Sequence, residues 1–272
     1  MKKIGQVDSH AHLQDFDPGT DISEVLDKAF SVGLTHIVCN GTSESSWSTV
    51  LGYSRQFTQV IPCFGVHPWF IEECSPQWDS VLEGYLTGAQ SGVGEIGLDH
   101  LKEYSDRRLQ EEFFRRQLDI ARKFNRPVMI HCVHAWGQLM EILRSEDMLP
   151  AGFLLHSYAG SPDLVKELAD KGAFFSFCGK VLNANYNRAR ASLRVIPKDR
   201  LLIETDAPCM LPPDKYALYT VPSARGTHNH PANLPCILNG IAEFLNEDAE
   251  HLREKLWNNS KTLFGRIMDI EL

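Results

Sequence analysis

Residues 92–131, GVGEIGLDHLKEYSDRRLQEEFFRRQLDIARKFNRPVMIH, decide how the chain is read. Gly92–Ile96 and Pro127–His131 are short β-favouring apolar runs, and the stretch Ser105–Asn125 between them is predicted as an amphipathic helix. Within it Phe113, Phe114, Gln117, Leu118 and Ala121 share one side, while Arg107, Arg108, Glu111, Glu112, Arg115 and Arg122 cover the other. A strand, a helix long enough to recross and a second strand predict a parallel βαβ unit with a right-handed crossover.

The same unit recurs on both sides of this stretch. Further strands are predicted at Ile4–Asp8, Thr35–Cys39, Val60–Phe64, Gly152–His156, Ala173–Phe177 and Leu201–Thr205, so that eight starts lie 21 to 35 residues apart. Helices are predicted at Ser23–Ser31, Ser45–Phe57, Pro76–Ala89, Ala135–Glu146, Ser161–Lys171, Asn185–Val195 and Asn233–Asn246. Eight alternating units in about 250 residues predict an α/β protein with a (β/α)8 TIM barrel, one domain over residues 1–272. A doubly wound open sheet is the alternative. Cys209–Pro235 carries five prolines and reads as a long loop after the eighth strand, followed by two terminal helices, Glu247–Trp257 and Ser260–Met268.

Composition narrows the class. The 272 residues include 27 Lys and Arg against 35 Asp and Glu, a net charge of −8, with 43% apolar and 23% charged residues. This is a globular composition, which excludes disorder, coiled coil and collagen. Apolar runs are strand-sized, too short for a bilayer span, and Met1-Lys2-Lys3 leads into a strand without a signal-peptide core; a cytoplasmic protein is expected. The acidic balance argues against a generally basic nucleic-acid surface, yet 11 His beside 35 carboxylates are raw material for a metal site. Seven Cys form no CxxC pair, and Cys39, Cys63, Cys132 and Cys178 sit in apolar runs, as reduced structural thiols do.

Barrel enzymes carry their chemistry at the C-terminal ends of strands. Here the first strand ends in Asp8-Ser9-His10-Ala11-His12, the fourth in Glu95, the fifth in His131, the sixth in His156, and the eighth in Glu204-Thr205-Asp206. His10 and His12, two apart, point to one face of an extended chain and can grip one ion. Four imidazoles and two carboxylates exceed the needs of one tetrahedral ion and imply two divalent ions sharing a bridging carboxylate. Imidazoles suit Zn and Mn, and the carboxylates also admit Mg.

Competing motifs fare worse. Gly92–Gly97 matches GxGxxG but occupies the strand itself, and Glu95 in its middle would repel pyrophosphate. Ser157 lacks the GxSxG elbow of a nucleophile, and Cys132 points away from the face that carries His131.

Asp8-Ser9-His10-Ala11-His12, Gly65-Val66-His67-Pro68, Gly94-Glu95-Ile96-Gly97-Leu98-Asp99, His131, His156-Ser157-Tyr158, Glu204-Thr205-Asp206-Ala207-Pro208 and Asn259–Phe264 together resemble the TatD family of metal-dependent deoxyribonucleases. The resemblance implies a two-metal barrel hydrolase that cleaves phosphodiester bonds of DNA, with RNA as a second candidate substrate. It assigns His10, His12 and Asp206 to one ion, His131 and His156 to the second, and Glu95 to the bridge. Two positions depart from the family pattern: His131-Cys132-Val133 lacks the usual His-x-Arg arginine, for which His134 is the nearest substitute, and Asn229-His230-Pro231 replaces Asn-Glu-Pro. Neither is a ligand position.

The expected mechanism is attack by a metal-activated water, with Asp206 accepting its proton and Glu95 completing the catalytic pair. His67 is a candidate to bind a phosphate, Tyr158 and Trp69 to stack on a base, Arg225 to receive the backbone with Arg188, Arg190 and Arg194, and Asp99 to buttress a ligand. Single-stranded DNA or frayed ends are the expected substrate of a monomer with no organic cofactor and no membrane partner. Two alternatives remain: a barrel hydrolase of a small phosphoester, amide or lactone, and a catalytically silent metal-binding protein. Two divalent ions would add four positive charges where a phosphate docks, which removes the objection raised by the −8.

Overall fold

The computed structural model describes residues 4–101 and 106–268. Eight strands follow one another in the chain: β1 (Gln6–Ala11), β2 (Leu34–Asn40), β3 (Val60–Phe64), β4 (Gly92–Asp99), β5 (Val128–Val133), β6 (Phe153–Leu155), β7 (Ala173–Phe177) and β8 (Leu201–Ile203). They form one sheet in the order β1 to β8. Pairing is parallel at β1–β2, β3–β4, β4–β5, β5–β6 and β7–β8. The α-helices are α1 (Ile22–Ser31), α2 (Trp47–Gln56), α3 (Trp78–Gly88), α4 (Arg107–Phe124), α5 (Trp136–Ser145), α6 (Val165–Asp170), α7 (Asn187–Val195), α8 (Leu234–Leu245) and α9 (Ala249–Phe264). This is the (β/α)8 barrel class expected from the alternation.

Helix ends follow local chemistry. Asp21 accepts the Ser23 and Glu24 N–H groups at the start of α1, and Asp106 accepts that of Arg108 at the start of α4. Asn125 and Asn246 end α4 and α8 in the left-handed conformation. Of the expected elements, the Ser105 helix start and Met1-Lys2-Lys3 lie outside the described residues. No helix among those described is long and apolar enough to cross a membrane.

Two expectations need correction. The two terminal helices are one, α9, because buried Asn259 does not break it: its Nδ2 instead donates to the Lys198 and Leu201 carbonyls at 2.8 Å each. The long loop contains an antiparallel hairpin, β9 (Thr220–Ser223) and β10 (Gly226–Asn229), whose turn uses Gly226 at φ +130°. Asn233 anchors it, donating to Tyr219 O at 2.7 Å and Asn229 Oδ1 at 2.9 Å and accepting the Tyr219 N–H at 2.9 Å.

Backbone contacts sort the chain into two compact units. The first comprises Met1–Cys39, Ser157–Lys166 and Phe175–Thr262; the second comprises Asn40–His156, Glu167–Phe174 and Leu263–Leu272. In the first, β8 lies beside β1: Ser9 Oγ donates to Ile203 O at 2.8 Å, and the Asp206 N–H to His10 O at 3.0 Å. Val7, Leu26, Phe177, Leu202, Ile237 and Ile241 are buried in it. In the second, α4 buries Phe114, Gln117, Leu118 and Ala121, as its apolar stripe predicts, and half-buried Phe113 stacks on Trp78 at 4.6 Å.

Candidate metal centre

In the first unit β1 is buried along its whole length and delivers His10 with no exposure, while His12 follows directly. The alternation places both rings on one face: their Nε2 atoms lie 3.1 Å apart. Asp206 follows β8 in the left-handed region, φ +54°, which aims its Oδ1 to 3.4 Å from His12 Nε2 and 3.9 Å from His10 Nε2. Donor separations of this size are the edges of a coordination polyhedron with bonds of about 2 Å. Three buried donors, two imidazoles and a carboxylate, therefore fit a divalent cation.

Asp8 and Glu204 lie behind these donors, both wholly buried. The sequence motifs contained them without a role. Asp8 Oδ1 accepts the Thr205 N–H at 2.9 Å, and Oδ2 accepts the Thr205 hydroxyl. Burial, reinforced by Glu204 and opposed by the Thr205 and His10 hydrogen bonds, pushes the Asp8 carboxyl up to about 7. Glu204 accepts the Ser176 hydroxyl.

The second unit builds a second donor set around one oxygen. Glu95 Oε1 lies 2.9 Å from His131 Nδ1, 2.8 Å from His156 Nε2 and 3.7 Å from His67 Nε2, and the first two nitrogens are 3.2 Å apart. Glu95 is 3% exposed, so this oxygen is shielded from bulk water. Close approach of β4 to β5 depends on Gly97, paired with His131 at φ +146°: a Cβ there would meet His131 O at 1.9 Å. Burial disfavours charge on His131, but the hydrogen bonds to Asp99 and Glu95 outweigh it and raise its pKa. A cation between these donors would take the place of that proton.

Two buried glutamines of α4 support this set, and both were missed as functional residues. Gln110 Oε1 accepts the Asp99 N–H at 2.9 Å and its Nε2 donates to Asp99 O at 2.9 Å. Gln117 brackets Val66 in the same way, at 2.7 and 3.2 Å, and so fixes the loop that carries His67. The available signal was Gln117 on an otherwise apolar helix face, with Gln110 two turns earlier. Asp99 does buttress a ligand candidate: its Oδ2 is 3.2 Å from His131 Nε2. Burial works against its charge, but hydrogen bonds from His131, Leu101 and Trp69 lower the carboxyl to about 2.

The substrate candidates separate. His67 is 4% exposed and packs its ring 4.4 Å from that of His131. Its Nδ1 accepts the Trp69 N–H at 3.2 Å, which leaves the proton on Nε2. Tyr158 is corrected out of the set. It is fully buried, edge-on to Phe175 at 5.0 Å, with its hydroxyl donating to Ser161 O at 2.9 Å, so no ring face is open to a base. Arg225 is exposed at the hairpin tip. Arg190 and Arg194 both lie over the Phe244 ring, at 4.3 and 4.4 Å, as packing groups rather than phosphate receivers. His134 is exposed at φ +54°. His230 uses Nδ1 to cap the turn Pro231–Asn233 through the Ala232 N–H at 2.9 Å, and burial, with Lys28 nearby, lowers its pKa to about 4, so it is neutral in the place of the acidic residue. All seven cysteines are free thiols, and burial pushes Cys39 and Cys178 up to about 12, which leaves them unreactive.

A (β/α)8 barrel with imidazoles and carboxylates gathered at its strand ends defines a metal-dependent hydrolase. The profile described as "TatD related DNase" matches residues 7–265, and the chain belongs to that family. Among curated relatives it is 35% identical over 252 residues to the 3'-5' ssDNA/RNA exonuclease TatD of Escherichia coli K12, covering 90% of this chain and 93% of that protein. It is 28% identical over 260 residues to the uncharacterized metal-dependent hydrolase YabD of Bacillus subtilis, covering 94% and 98%. Among solved structures, the TatD homolog YJJV of Escherichia coli K12 superposes with a TM-score of 0.86 at 26% identity, covering 96% of this chain and 98% of that one.

Proposed function

We propose that the chain is a nuclease that hydrolyses phosphodiester bonds of single-stranded DNA or RNA with two divalent ions of the Mg, Mn or Zn type. The observation that carries this reading is the pair of buried donor sets, His10, His12 and Asp206 with separations of 3.1 to 3.9 Å, and Glu95, His131 and His156 with separations of 2.8 to 3.2 Å. Each set is proposed to hold one ion, with Asp206 as the carboxylate of the first and Glu95 as that of the second. Bound there, the ions supply Lewis acidity that lowers the pKa of water and neutralises phosphate charge.

The protein's own groups then divide the work. Asp206 accepts the proton of the attacking water, a role open to it as the one carboxylate of its donor set. Asp99 accepts the Nε2 proton of His131, which leaves Nδ1, 2.9 Å from the Glu95 oxygen, as the nitrogen that would meet the ion. His67 Nε2–H, fixed in that tautomer by Trp69, donates to a phosphate oxygen. The low exposure of the donors strengthens each of these interactions.

The test is hydrolysis of a labelled single-stranded oligonucleotide and of a nitrophenyl phosphodiester, with Mn²⁺ or Mg²⁺, by the intact chain and by Asp206→Asn and Glu95→Gln. Oligonucleotide hydrolysis lost in both variants supports the reading. Equal rates in all three proteins refute it, and hydrolysis of the small diester alone points to a small-phosphoester enzyme. Titration with Mn²⁺ saturating near two ions per chain supports the two-ion site, and saturation below one counts against it.

A further inference from the structure

Asp99 joins three groups through one carboxylate. Its Oδ2 accepts the Trp69 indole N–H at 2.7 Å and faces His131 Nε2 at 3.2 Å, while Oδ1 accepts the Leu101 N–H at 2.8 Å. The side chain cannot easily swing away, because Gln110 clamps the Asp99 backbone on both sides and the residue is 2% exposed. Trp69 at the other end is different: its polar edge is tied inward, yet 40% of the residue is exposed. Its ring stands edge-on to His67 at 4.8 Å and 81°, and to His131 at 6.4 Å.

An exposed tryptophan with its N–H held by a buried carboxylate is a rigid aromatic surface, not a loosely packed one. Such a surface stacks on a nucleobase with little entropy left to lose, and stacking tolerates any base because every base has a π-face. Its distance from the imidazoles places it within one nucleotide of a phosphate docked on them.

We propose that Trp69 is the platform for an unpaired base beside the scissile phosphate, and that Asp99 is the positioning residue that holds this platform and the metal-ligand candidate His131 in one arrangement. The proposal rests on the nuclease reading above. It makes substrate grip and metal affinity two outputs of one carboxylate. Trp69→Leu removes the platform but not the bond to His131, whereas Asp99→Asn disturbs both, because it removes the negative charge and sets an amide NH2 against either the Leu101 N–H or the Trp69 and His131 N–H groups.

The experiment uses the intact chain with Mn²⁺. It compares kcat/KM for a single-stranded oligonucleotide with that for methyl p-nitrophenyl phosphate, a diester without a base. Trp69→Leu is expected to lower the ratio of the two about 10- to 100-fold, mainly through the oligonucleotide KM, with Mn²⁺ affinity held within twofold. Trp69→Phe, which keeps a ring, is expected to recover most of that ratio and guards against a fold defect in the leucine variant. Asp99→Asn is expected to weaken Mn²⁺ binding about 10- to 100-fold by calorimetry. It should also raise acrylamide quenching of the Trp69 fluorescence, isolated by difference from Trp69→Phe. A ratio unchanged within twofold in Trp69→Leu overturns the platform, and unchanged Mn²⁺ affinity and quenching in Asp99→Asn overturn the positioning role. Failure of the nuclease reading is separately visible, as a wild-type protein that cleaves the diester but not the oligonucleotide.

Discussion

Gly97→Ala tests whether one glycine sets the second donor set. The added methyl would sit 1.9 Å from His131 O, where real contacts stay beyond about 3 Å, so β4 and β5 must part by roughly 1 Å. The backbone at φ +146° is also one that alanine rarely adopts. Backbone strain of about 1–3 kcal/mol and overpacking of about 1–3 kcal/mol together predict a loss of about 2–6 kcal/mol. For a chain of this size that is a fall in Tm of roughly 5–20 °C. The strain falls between Glu95 and His131, so Mn²⁺ affinity should drop with stability. Gly84→Ala is the matched control: the site is in the interior of α3 with nothing within 4 Å of the new Cβ, and about 0.5–1 kcal/mol of stabilisation is expected. Calorimetric melts and Mn²⁺ titrations of both variants decide the matter. A Tm for Gly97→Ala within 1 °C of wild type, with unchanged Mn²⁺ affinity, would show that neither the strand pairing nor the donor set depends on this glycine.

Two further outcomes follow from the first unit. Folded Asp8 keeps its proton up to about pH 7, whereas the unfolded chain releases it near pH 4, so the folded state binds more protons across that window. Stability of the metal-free protein is therefore greatest below about pH 4 as far as this group is concerned and falls as pH rises, by about 4 kcal/mol in all. Urea melts in EDTA should show that slope, and Asp8→Asn should flatten it; equal slopes in the two proteins would exclude Asp8 as the source. Asn233→Ala removes three hydrogen bonds that anchor the hairpin, a loss of about 2–3 kcal/mol. Trypsin cleavage after exposed Arg225 should then quicken at least tenfold, and an unchanged rate would show that the hairpin is held elsewhere.

Much of the molecule was legible in residue patterns because those patterns are local. A period of two places His10 and His12 on one face, and a period of 3.6 gives α4 its buried stripe; eight repeats of strand and helix then leave a barrel as the economical solution. Strand lengths were less legible. β4 runs to Asp99 and β1 to Ala11, past the apolar residues that signal them, because polar residues at these strand ends are held by buried partners. The hairpin hid among prolines for a related reason: Asn233, remote from its turn, supplies the bonds that stabilise it.

Fold class and family were legible in the residue patterns, and the same patterns nominate the six residues proposed to hold metal. Tertiary structure alone decided which atoms of those residues face one another. Register shifts at Asp8/Ala11 and at Val93/Ile96 displace β1 and β4 from simple alternation, and no local periodicity encodes a shift that depends on the neighbouring strand. It also decided that Tyr158 is core while Trp69 is surface, and that Asp99, Gln110 and Gln117 are supports. These roles arise where groups distant in the chain meet at hydrogen-bond distance, and only the folded backbone fixes that distance.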